Sequence, residues 1–98
     1  MIKHACIRKN GRMWIAPRHH LIFRDVRENL HHAEQGFLTD DGRFVSRQEG
    51  AKIAYECGQI KEPKTMLYSE DCIPLGDWVE EVGKEKIKIN LNVGLYNG

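Results

Sequence analysis

The sequence predicts a small α+β domain with antiparallel hairpins, two main helices and a C-terminal strand, and three observations carry that expectation. Asn10-Gly11 divides two short apolar runs, and Asn-Gly is the strongest short hairpin signal because both residues tolerate positive φ. Ser46 stands three residues before Glu49, the S-x-x-E spacing that satisfies free N–H groups at a helix start. Ile87, Ile89, Leu91, Val93 and Leu95 alternate with Lys86, Lys88, Asn90 and Asn92, the period of a strand with one buried face. The 98 residues make one domain, 1–98.

In chain order, His4–Arg8 and Met13–Ala16 are the strands of the first hairpin. Pro17 suits the first position of a helix. From Arg18 to Ala33, Ile22, Val26, Leu30 and Ala33 fall on one helical face, with Arg24, Arg27, Glu28 and His31 on the other. Gly36–Thr39 and Arg43–Val45 flank Asp40-Asp41-Gly42 as a second hairpin. A helix then runs from about Arg47 to Cys57 and stops at Gly58. Lys61 to Thr65, with Pro63, reads as loop, and Asp77 to Gly83 as two helical turns. The C-terminal strand either joins the sheet or pairs across subunits, since a bare edge invites aggregation.

Composition bounds the function classes. A chain this short buries only a little over roughly 60% of its extended surface, so a pairing partner would add stability and a homo-oligomer is plausible. No stretch reaches the roughly 18 to 20 apolar residues of a membrane helix, and the first residues lack the apolar core of a signal peptide, so a soluble, cytoplasmic protein is expected. The net charge of +1 hides a split: residues 1–35 carry +4 and all five histidines, residues 36–98 carry −3. A stable nucleic-acid binder would show a larger basic excess. A compact anion needs only a local cluster.

The remaining chemical groupings are thin. His19-His20 and His31-His32 lack metal-ligand spacing, so neither a metal nor a cofactor is expected. Cys6, Cys57 and Cys72 are odd in number and widely spaced, as buried reduced thiols are. Asp40-Asp41 and Glu70-Asp71 are turn and surface composition before they are paired catalytic acids. No catalytic residue is assigned.

Arg43 and Arg47 bracket the start of the second helix, where the positive end of the dipole makes cations mildly unfavourable. Either they are solvated surface arginines or an anion sits among them and the free N–H groups.

The stretch QGFLTDDGRFVSRQEGAKIAYECGQI, followed by LYSED, resembles small phage proteins that carry GRFV-x-R at a helix start, then GQI, then L-[FY]-S-E-D; HACIRKNGRMWIAPRHH resembles their first hairpin. The group is the first described type of Thoeris anti-defence sponge, which sequesters cyclic ADP-ribose isomers made by bacterial TIR-domain enzymes. The resemblance implies a homo-oligomer built from dimers, with hexamers in range, a small-molecule cyclic nucleotide at subunit interfaces, and, for some members, cyclic oligonucleotides at separate sites. It implies action in the cytoplasm of the infected bacterial host. Carried over by position, it implies a phosphate-contacting arginine at Arg43 and an adenine-stacking ring at Tyr68, with Arg18 and His19 at the helix entry as further phosphate contacts beside the Arg47 of the anion reading; Asn90 or Asn92, outside the aligned stretch, are candidates for the adenine edge. A planar fork suits a diphosphate and a phenol ring suits a base, whereas Tyr68 also fits an ordinary half-buried core position. Beyond Asp71 the resemblance does not extend.

Three classes therefore compete: a binding protein that sequesters a nucleotide signal, an inhibitor that binds a host or defence macromolecule, and an enzyme that degrades such a nucleotide.

Overall fold

In a computed structural model that describes residues 1–82, φ is +52° at Asn10 and +79° at Gly11. Positive values at both positions are what a two-residue hairpin turn requires. The turn joins Ile2–Lys9 (β1) to Arg12–Ala16 (β2), with Cys6 opposite Ile15 and Ile7 opposite Trp14. A second hairpin joins Glu34–Thr39 (β3) to Phe44–Ser46 (β4), and β3 pairs with the other side of β1. The sheet is antiparallel in the order β4-β3-β1-β2-β5, where β5 is Glu80–Val82. An α+β architecture is thus established.

Helix α1 (His19–Asp25) and helix α2 (Arg47–Glu56) supply the helical layer, with Ser69–Cys72 (α3) as a single turn. The Ser46 hydroxyl accepts from the Glu49 N–H at 3.0 Å, and Gly58 takes φ +83° just past the end of α2, so both ends of that helix are where the sequence puts them. Along β1 a register shift between Ile2 and His4 keeps Ile2 with Ala5 rather than with Cys6. Ile2 and Ala5 therefore join Phe37, Val45, Ala51, Ala54 and Leu67 in one core, while Ile7, Trp14, Ala16, Leu21, Ile22 and Leu30 form a second under α1. Cys6, Ile15, Leu38 and Val82 make a third cluster with Met13 and Phe44.

Two expectations are corrected. The helix expected over Arg18 to Ala33 ends at Asp25, and Val26 is already extended. Val26, Leu30 and Ala33 do pack against the core under α1, as their spacing implies, but from a loop. That loop is held by an ion pair between Glu28 and Arg12 at 2.6 Å and by the Asn29 carboxamide accepting from the His31 N–H at 2.9 Å. His32 then takes φ +66°. The helical turns expected over Asp77 to Gly83 are not formed in the described part of that range: Asp77 to Val79 is irregular and Glu80–Val82 is strand β5, where Val82 opposite Met13 is only 2% exposed, a burial that a solvated turn would forgo. The strand expected over Lys86 to Leu95 lies outside the described residues.

Gly36 is the one glycine of β3 and has a steric cause. A Cβ there would stand 2.2 Å from the Val45 carbonyl oxygen, and 2.7 Å from the tip of the Phe44 ring. Phe44 covers that bare position and is itself covered by the Arg8 guanidinium, 4.0 Å from the ring centroid.

Candidate functional site

The first residue of α2 is Arg47, and its backbone carbonyl accepts from the Leu67 N–H at 3.1 Å. That bond ties the segment after the Pro63 loop to the start of α2. Leu67 is fully buried, so its neighbour Tyr68 turns outward, 50% exposed. The Arg47 guanidinium carbon then lies 6.0 Å from the Tyr68 ring centroid, and the Lys64 ammonium 5.4 Å from it. Two cations thus share one aromatic ring. Tyr68 is half exposed and belongs to none of the three core clusters.

Arg47 is only partly committed to the protein. One terminal nitrogen donates to the Gln35 carboxamide oxygen and the other contacts the Met66 sulfur at 3.8 Å. Its Nε is buried without a hydrogen-bond partner. An orphaned buried donor is costly, and a ligand oxygen could satisfy it only if the side chain shifts to expose it.

Arg18 and His19 approach the same region from α1. One Arg18 nitrogen donates to the carbonyls of Pro17, Ser69 and Ile73, at 2.7, 3.3 and 2.8 Å. Arg18 therefore braces α1 against α3, just beside Tyr68. The His19 Nε2 stands 2.7 Å from the Gly36 carbonyl oxygen and so carries the proton in the neutral ring. Burial lowers the His19 pKa; the Gly36 carbonyl works the other way, Arg47 lowers it further and Glu70 raises it. His19 is the neutral wall of a cationic corner.

Arg43 is placed differently. Its backbone closes the β3–β4 turn, with N–H donating to the Thr39 hydroxyl at 3.0 Å, and its guanidinium pairs with Glu49 at 3.3 Å. Both side chains of that pair are more than half exposed, at 56% and 51%. The structure groups Arg47, Tyr68, Arg18 and His19, and sets Arg43 with Glu49. Asn90 and Asn92 lie outside the described residues.

Lys64 and Gln35 were missed in the sequence, because neither carries a local signal: one sits in a proline-bearing loop and the other at a strand start. The Asp71 carboxylate holds Lys64 at 2.8 Å and accepts from the Tyr68 N–H at 2.8 Å. Burial pushes the Asp71 pKa up, but Lys64 and that N–H outweigh it and the carboxyl ends below its ordinary value.

Other chemistry is less developed. Among the described residues no three His, Cys, Asp or Glu side chains gather as metal ligands would. Burial pushes the Cys6 thiol up to about 12 and the Cys72 thiol up to about 11, so neither is a ready thiolate. Cys57 departs from the buried-thiol expectation and is exposed at the end of α2. No helix among the described residues is long and apolar enough to cross a membrane.

A family model described as the phage T4 y16D protein matches residues 2–73, a span that takes in every described residue of this corner. No curated protein and no solved structure matches the chain.

Proposed function

The chain belongs to the phage T4 y16D protein family, and from that premise we propose that it is a phage binding protein that sequesters, without cleaving, a phosphate-bearing nucleotide signal. The observation that supports this is the Arg47–Tyr68 pairing: a guanidinium with a buried, unpartnered Nε beside a half-exposed ring, with Lys64 on the same ring. A phosphate takes the fork and a base takes the ring. Sequestration is proposed on the cations and the ring alone; the neutral His19 beside them is also the form a general base takes, so release of intact ligand is what separates holding from hydrolysis.

Within that reading the ligand is a cyclic ADP-ribose isomer made by a bacterial TIR-domain enzyme, and the protein acts as an anti-defence sponge in the cytoplasm of the infected host. This finer assignment rests on the GRFV-x-R, GQI and LYSED resemblance. An oligomer built from dimers belongs to the same assignment.

The test is capture. The purified protein is incubated with the product of an activated TIR-domain enzyme, washed, heat-denatured, and the released small molecules are identified by mass spectrometry. Intact cyclic ADP-ribose isomer in the supernatant is the expected result. Degraded product would make the protein an enzyme. An empty protein would overturn sequestration in favour of a macromolecular target, for which the exposed Leu75 and Trp78, 87% and 42% accessible, are the contacts to try first.

A further inference from the structure

The Lys64 ammonium and the Arg47 guanidinium carbon stand 5.4 and 6.0 Å from the centroid of one ring, that of Tyr68, so the two charges lie no farther apart than those distances together. Arg47 reaches the ring from the start of α2 and Lys64 from the Pro63 loop. We propose that Lys64 is a second anion contact of this corner and sets its preference for a nucleotide with two linked phosphoryl groups over one, with Asp71 as the residue that positions it. The inference rests on the Arg47–Tyr68 reading given above.

Lys64 is placed rather than free. An ammonium on a four-carbon stem has many rotamers to lose, yet one oxygen of the Asp71 carboxylate accepts from both the Lys64 ammonium and the Tyr68 N–H, each at 2.8 Å. Charge and ring are thereby indexed to a single atom on α3. The Lys64 side chain is 37% exposed and that of Asp71 21%, so the pair is sheltered on the acid's side and open on the lysine's. Among the described residues Asp71 is the hydrogen-bond partner of that ammonium, which leaves two of its three donors for ligand oxygens.

The two cations differ in what they can hold. Arg47 carries a planar fork, which one phosphate group fills. Lys64 is a point charge whose donors turn freely, which suits the outer group of a diphosphate. Asp71 stays ionised, because Lys64 and the Tyr68 N–H outweigh its burial, and its charge offsets Lys64 in the empty corner. A single phosphate on Arg47 therefore finds Lys64 already matched, whereas a second phosphoryl group brings the charge to share Lys64 with Asp71.

Calorimetric titration of the full chain with adenosine 5′-monophosphate and adenosine 5′-diphosphate tests this, with thermal melts on the same samples. The diphosphate should bind the unaltered chain about tenfold more tightly, the value of one charge-assisted hydrogen bond. Lys64→Met, which keeps a stem over the ring, should abolish that preference and leave the monophosphate unchanged. Asp71→Asn, whose amide oxygen still accepts from the Tyr68 N–H, should tighten the diphosphate several-fold; weakening or no change there overturns the role of Asp71. Arg47→Ala should weaken both nucleotides. Equal affinities in the unaltered chain, or a Lys64→Met protein that keeps the preference, overturns the Lys64 assignment, and loss of both nucleotides by Arg47→Ala then leaves the corner reading standing. A preference lost in Lys64→Met while Arg47→Ala binds as the unaltered chain does supports Lys64 and removes Arg47. A chain that binds neither nucleotide overturns the corner reading and this one with it.

Discussion

The Arg47 guanidinium lies 6.0 Å from the Tyr68 ring centroid, and the Arg47 carbonyl accepting from the Leu67 N–H, with Leu67 in the core, brings the two residues together. The pair is a platform whose charge and flat face are supplied by separate elements. Each can be removed without the other.

If the proposed nucleotide binds there, Arg47→Ala is expected to weaken its binding by about 1.5 to 3 kcal/mol, the worth of a hydrogen bond to a charged group. The melting temperature should move little, since the substitution removes a buried unpartnered Nε along with the Gln35 and Met66 contacts. Arg47→Lys should also bind poorly, because a point charge cannot reproduce the fork. Calorimetry and thermal melts on the same samples read both.

Tyr68→Phe should bind almost as wild type, whereas Tyr68→Ala should lose about 1 to 3 kcal/mol of affinity, the usual value of a base on an aromatic platform. With half its surface exposed, Tyr68 leaves no sealed cavity on truncation. A large fall in melting temperature for Tyr68→Ala would show that the ring is structural after all.

Arg43 and Glu49 form an exposed pair, so Arg43→Ala should cost less than about 1 kcal/mol of stability. Should Arg43 reach the ligand as the family resemblance implies, it must leave Glu49 to do so. Glu49→Gln would then tighten binding and Arg43→Ala would loosen it. Unchanged affinity in both variants would take Arg43 out of the site.

Gly36→Ala should destabilise the fold by about 1 to 3 kcal/mol, as overpacking does. The new Cβ meets the Val45 carbonyl oxygen, a backbone atom that has no rotamer to change. Urea titration measures the loss.

Stability should fall as the solution is acidified below the ordinary histidine range. Burial lowers the folded-state pKa of His19, so the unfolded chain binds a proton first. The contribution of the neutral ring is complete above the unfolded value of about 6.5 and is lost as the pH drops through the folded one. His4, lowered by burial and by Lys3, and raised by Glu80, works in the same direction. His19→Gln should flatten the pH dependence of the urea midpoint between pH 7.5 and 5, and an unchanged slope would assign the effect to His4.

How much of this was legible follows from distance along the chain. Asn10-Gly11 and the Ser46, Glu49, Gly58 set write their structure within a few residues, and both stand. Val26, Leu30 and Ala33 encode burial but not conformation, because a folded loop can satisfy the same core that a helix would. Val82 becomes a strand residue only by meeting Met13, and no periodicity over three residues announces that. Arg47 was named from its place at a helix start and Tyr68, His19 and Arg18 from a resemblance, and their gathering depends on the Leu67 and Ser69 backbone, which no side-chain pattern encodes. Lys64 was outside any local signal.

The position of β1 in the middle of the sheet sets an order of assembly. Its pairing with β2 closes over two turn residues, a loop that forms in microseconds and costs little chain entropy. Pairing Cys6 with Gly36 must wait for a longer closure, and pairing Trp14 with Glu81 for the longest of the three. By loop length alone the β1–β2 and β3–β4 hairpins close first and the β2–β5 pairing closes last, an order that hydrogen exchange on β5 would test. Among the described residues β5 pairs in the sheet with β2 alone, while its Val82 also packs with Cys6 and Leu38, so loosening β5 would be felt first in that third cluster rather than at the Arg47–Tyr68 corner.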